Sequence, residues 1–140
     1  MEVTVNVQGF TELKRVLSSV PQREFNVGNW NCCACGHATR DEWFQSQGFT
    51  GCHSFKDAAA FFGISYEEAK ALFSGQPGCL VTPSDVIARI DAFIKMVESR
   101  RIETDQHARR QTIIDALLAA ANTAAQQARR VATALVAVFF

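Results

Sequence analysis

Residues 104–140 read TDQHARRQTIIDALLAAANTAAQQARRVATALVAVFF. No glycine or proline interrupts the stretch, and alanine, the strongest helix former, fills its middle. Ile114, Leu118, Ala121, Ala125, Ala128, Ala132, Leu135 and Phe139 step by four and three. That spacing keeps them on one face of a helix lying lengthwise along another helix. Ile113, Leu117, Ala124 and Val131 widen this face. A polar stripe of Asp115, Asn122, Gln126, Arg129 and Thr133 gives way to Val136, Ala137 and Phe140, so the last two turns are apolar all round.

At 1.5 Å per residue such a helix is roughly 55 Å long, against about 33 Å for a globule of a hundred residues. An apolar end left in water is an aggregation hazard. The expectation is therefore an interface, formed by Ile114, Leu118, Ala121, Ala125, Ala128, Ala132, Leu135, Phe139 and Phe140, with a second copy or another protein. A membrane is not the expected partner. The apolar run Val131 to Phe140 is about half of what spans a bilayer, and Arg129 and Arg130 precede it.

Upstream, Thr82 and Pro83 supply a cap and a first-turn proline before Val86, Ile87, Ile90, Phe93, Ile94 and Val97. Ser74 to Gly78 reads as a loop. Ser54 caps a helix through Phe62, Gly63 suits the left-handed residue that closes it, and Ser65 with Glu68 forms a capping box for the next. Ala34, Ala38, Trp43 and Phe44 predict a helix over Cys32 to Gln45, with a loop at Gly48 and Gly51. Thr11 caps a helix through Leu13, Val16, Leu17 and Val20, ended by Pro21. Val3, Val5 and Val7 alternate with Thr4 and Asn6, predicting a short strand before Gly9. The fold class is thus mainly α: a compact helical body with one short N-terminal β-strand over 1–100, and a long C-terminal helix over 101–140.

The 140 residues suit one domain, and 48% hydrophobic with 20% charged residues is a globular balance. Lys+Arg 14 cancel Asp+Glu 14, so no global field draws the chain to nucleic acid or anionic lipid. The start lacks a basic segment leading into an apolar one, and the five cysteines are clustered and odd in number. A cytoplasmic or virion-associated location with free thiols is expected.

Three constellations carry possible chemistry. Ala59, Gly63, Ile64, Ser65 and Ala69 have the spacing of a helix-turn-helix. Its second helix, however, carries Glu67 and Glu68 beside a single Lys70, where a DNA reader needs groups for phosphates and base edges. Two core helices meeting at a corner are the expectation, and a DNA-binding regulator is the alternative. Cys33, Cys35, His37, Cys52 and His53 are the residues that would hold zinc, in a zinc-stabilised interaction module. No pair has the gap of a zinc knuckle, and the adjacent Cys52 and His53 do not easily face one ion. No bound zinc or other cofactor is expected, and Cys33, Cys35 and Cys79 read as small buried apolar residues. A thiol at a helix start with His37 as base has no orienting group or oxyanion site, so no catalytic residue and no small-molecule substrate are assigned. His107 lies among charged residues on a solvated face.

Phe25-Asn26-Val27-Gly28-Asn29-Trp30, then Cys33-Ala34-Cys35-Gly36-His37-Ala38, then Ala60-Phe61-Phe62-Gly63-Ile64-Ser65 with Glu68-Ala69 and Leu72-Phe73, then Thr82-Pro83, resembles small uncharacterised helical proteins common in phages, prophages and proteobacteria. The likeness covers about residues 25 to 95. It implies a compact helical body and a phage setting, and it implies no activity. The function expected from the residues is non-enzymatic self-association or partner binding, as in a phage structural or assembly component.

Overall fold

The structure is a computed structural model that describes residues 4–75 and 78–139. Six α-helices follow one another: α1 Val7–Ser18, α2 Ala34–Ala38, α3 Glu42–Ser46, α4 Phe55–Phe62, α5 Tyr66–Phe73 and α6 Pro83–Phe139, with a 3-10 turn at Gln22–Glu24. The chain divides into two compact units, Met1–Met96 and Val97–Phe140.

The expected N-terminal strand is absent: the described residues contain no strand. Val3 lies outside the described residues, and Val7 already belongs to α1. Asn6 explains the change. Its side-chain oxygen accepts from the Gly9 N–H at 2.9 Å and so caps α1, a local bond that an isolated strand with no partner cannot match. Its backbone N–H meets the Phe62 carbonyl at 2.9 Å, and its side-chain amide donates to the Phe61 carbonyl at 3.3 Å. Asn6 is thus a cap joining the start of α1 to the end of α4.

Gly63 makes that junction possible. Its φ of +65° closes α4 in the left-handed region, and an added Cβ would sit 2.3 Å from the Thr4 carbonyl oxygen. Ser65 and Glu68 form the expected capping box, with Ser65 Oγ accepting from the Glu68 N–H at 3.1 Å and the Glu68 carboxylate from the Ser65 N–H at 2.9 Å. Thr82 and Asp85 repeat the device at the start of α6, at 3.1 and 2.8 Å.

The predicted helix Cys32 to Gln45 is two short ones. Asp41 caps the second by accepting from the Trp43 N–H at 3.1 Å, so the chain turns between Thr39 and Asp41. Gly36 is required where it stands, since a Cβ there would lie 2.2 Å from the Trp30 carbonyl oxygen.

The core of the first unit is aromatic. Phe62, fully buried, stacks on Phe10 with ring centroids 4.5 Å apart and meets Phe73 at 5.5 Å and Phe49 at 6.1 Å. Leu13 and Leu17 of α1, Phe44 of α3, and Val86, Ile90 and Phe93 of α6 are buried with it. Lys14 and Asp91 pair at 2.7 Å at the rim, and Arg89 donates to the Ser74 and Leu72 carbonyls at 2.7 and 3.3 Å, closing the end of α5.

Candidate functional site

The cysteine and histidine region lies inside the first unit. Cys33 is the N-cap residue of α2, with its thiol toward the Trp30 carbonyl at 3.6 Å. Cys35 and Cys52 are buried next to each other, and Cys52 also reaches the Ser54 carbonyl at 3.5 Å. The Cys35 thiol donates toward Cys52. That bond, together with burial, pushes Cys35 well above the usual thiol range and draws Cys52 below it. Burial pushes the Cys33 thiol up as well.

His37 is engaged on both ring nitrogens. Nε2 meets the Glu24 carbonyl at 2.8 Å, which requires the proton on that nitrogen, and Nδ1 then accepts from Arg40 at 3.1 Å. His53 is exposed, and its backbone N–H donates to the Asp57 carboxylate at 3.0 Å, holding that carboxyl below its usual range. Cys33, Cys35 and Cys52 lie close enough to act on one another's thiols, while His37 is held by Glu24 and Arg40. Among the described residues no group of three or more His, Cys, Asp or Glu stands so as to hold a metal ion.

The start of a helix lowers a thiol's pKa and desolvation raises it, and at Cys33 desolvation wins. Cys52, the more acidic thiol, is 3% exposed. Cys33 and Cys35 are buried as the sequence suggested, but Cys79 is exposed, carried on the loop before α6.

Around Gly63, the corner of α4 and α5 buries Ala59, Ile64 and Ala69, the small and apolar residues of the helix-turn-helix spacing. What α5 turns outward is Tyr66, Glu67, Lys70 and Ala71. Glu68 is committed to its own capping box.

The second unit is the rest of α6. The helix continues through Arg100 and Arg101, where the sequence reading divided the body from the C-terminal helix, because nothing after Pro83 interrupts a helical backbone. Its threonine hydroxyls at 104, 112, 123 and 133 each bond to the carbonyl four residues back, which leaves the ladder unbroken. From Glu98 to Phe139 every residue is exposed. Leu117 is 65% exposed, Leu118 59%, Leu135 53% and Phe139 77%. The seam residues Ile114, Ala121, Ala125, Ala128 and Ala132 are uncovered too, and Phe140 lies outside the described residues.

No helix is long and apolar enough to cross a membrane among the described residues. No family model, no curated protein and no solved structure matches the chain.

Proposed function

We propose that this chain is a non-catalytic, self-associating protein whose interface is the exposed face of α6 centred on Ile114, Leu118, Ala121, Ala125, Ala128, Ala132, Leu135 and Phe139. One observation carries the reading: an unbroken apolar seam runs along a helix on which nothing from Glu98 to Phe139 is buried. Burying a leucine, isoleucine or phenylalanine contributes on the order of 1.5–3 kcal/mol, so leaving several in water on one face is a strong drive to associate. Alanines between the larger residues allow a partner helix to approach closely. A structural or assembly role suits a protein built in this way.

The test is the mass in solution. Light scattering across a dilution series should show an oligomer at tens of micromolar, and deleting Val131 to Phe140 should dissociate it while the circular dichroism of the remaining helices persists. A full-length monomer, with a truncation that unfolds the first unit, would overturn the proposal.

A further inference from the structure

The seam has an internal symmetry that names its occupant. Written as a heptad, its inner positions from Gln111 onward are Gln111, Ile114, Leu118, Ala121, Ala125, Ala128, Ala132, Leu135 and Phe139, all exposed. In a parallel pair each would face its own copy. Four successive alanine layers would then draw the helices together while Ile114 and Leu118 at one end, and Leu135 and Phe139 at the other, hold them apart. Helix separation follows the side chains at the contact, within about 8–10 Å, and one straight pair cannot satisfy both.

Antiparallel pairing removes the conflict between residues 114 and 132. With the two-fold axis at the level of Thr123, Ala121 meets the second copy's Ala125, Leu118 its Ala128, and Ile114 its Ala132. Large faces small in the outer of these layers and small faces small at the centre, so the spacing varies little. Beyond them Gln111 meets Leu135, and His107 meets Phe139.

Charge agrees with this register. Antiparallel helices bring equivalent flanking positions together, which places Asp115 beside Arg129 of the other copy, twice by symmetry, with Asn122 facing Asn122 between them. Neither Asp115 nor Arg129 takes part in an ion pair among the described residues. Parallel pairing would instead set Asp115 against Arg110 and leave Arg129 beside Ala124, so both orientations form two Asp–Arg pairs and the sizes of the seam residues make the choice. We propose, resting on the self-association reading, that the occupant of this face is a second copy of the same chain, bound antiparallel over residues 107–139 about an axis at Thr123.

The orientation is read by cross-linking. In a Cys32→Ser, Cys79→Ser background, Leu118→Cys and Ala128→Cys chains are oxidised separately and after mixing. A covalent dimer should form in the mixture and in neither chain alone. A dimer from Ala128→Cys alone would mean parallel helices, and a mixture that stays uncross-linked while light scattering shows a dimer would sink the register. Either outcome leaves self-association standing. A monomer at tens of micromolar would remove both.

A second measurement avoids new cysteines. Asp115→Arg and Arg129→Asp should each weaken the dimer, by roughly tenfold for two lost pairs, and an equal mixture of the two should regain the original affinity. In a parallel pair Arg129→Asp alone would leave the affinity nearly unchanged, and the mixture would fall between the two variants without regaining the original value.

Discussion

Phe62 and Phe139 each end a helix, and their surroundings are opposite. Phe62 is wholly buried among Phe10, Phe49 and Phe73, while Phe139 is 77% exposed. The same residue type therefore has two energetic roles: inside the first unit it holds the fold, and at the end of α6 it is surface awaiting a partner. Truncating both separates the roles. Phe62→Ala should cost about 3–5 kcal/mol of unfolding free energy, measured by urea denaturation of the dilute chain. Phe139→Ala should leave that value unchanged and weaken association instead. Equal losses in the unfolding experiment would mean that the end of α6 is ordinary core.

The comparison sharpens at Leu118, which a symmetric pair of helices buries twice. Leu118→Lys removes two contributions of about 1.5–3 kcal/mol each, enough to raise the dimer dissociation constant on the order of a hundredfold or more. Ile113→Lys changes a residue off the seam and should move it far less. Sedimentation equilibrium of the two variants decides whether association follows the seam or merely the helix's overall hydrophobicity.

What was legible in the sequence divides along the same line. The caps at Ser54, Ser65 and Thr82 and the glycine at 63 could be read because each depends on a side chain bonding within one helical turn. The strand expected from Val3, Val5 and Val7 could not be judged, because its fate depended on Asn6 meeting the end of α4, some 55 residues away along the chain. Likewise the single helix predicted over Cys32 to Gln45 missed the turn capped by Asp41, and Arg89's closure of α5 had no local signal. The cysteine and histidine spacing carried no sign that Glu24 and Arg40 engage His37 or that Cys33, Cys35 and Cys52 are buried together. The seam of α6 was legible because a helix's own periodicity records it.

Asn6 tests that long-range cap. Asn6→Ala leaves the Gly9 N–H without its acceptor and the Phe61 carbonyl without a donor, and should cost about 1–2 kcal/mol of stability. Asn6→Asp keeps the acceptor and loses the donor, so it should recover part of the loss. Because the change lies in the first unit, the dissociation constant of the oligomer should not move. A shift in association comparable to the shift in unfolding would mean that the two units are energetically coupled.

The smallest expected effect is a pH dependence at Asp41, where the first unit keeps an ion pair across elements. Its carboxylate accepts from Arg15 at 2.8 Å and from the Trp43 N–H at 3.1 Å. The guanidinium beside it holds this carboxyl below the usual range, with desolvation opposing in part. In the unfolded chain the group titrates near its ordinary value of about 3.9. The folded state therefore binds the proton less readily, and the stabilisation is fully present above that pH and lost as pH falls toward the lower folded value. Arg15 stays charged throughout and also holds Glu12 at 2.6 Å, so the titrating partner is Asp41. Exposure of the arginine keeps the contribution small. Asp41→Asn preserves an acceptor for the Trp43 N–H and removes the charge, so the wild type should be modestly more stable than the variant at pH 7, and the difference should close below about pH 4. Urea unfolding of both chains at pH 7 and pH 3 reads this directly. A difference that persists unchanged at pH 3 would show that the residue acts through its cap alone and not through Arg15.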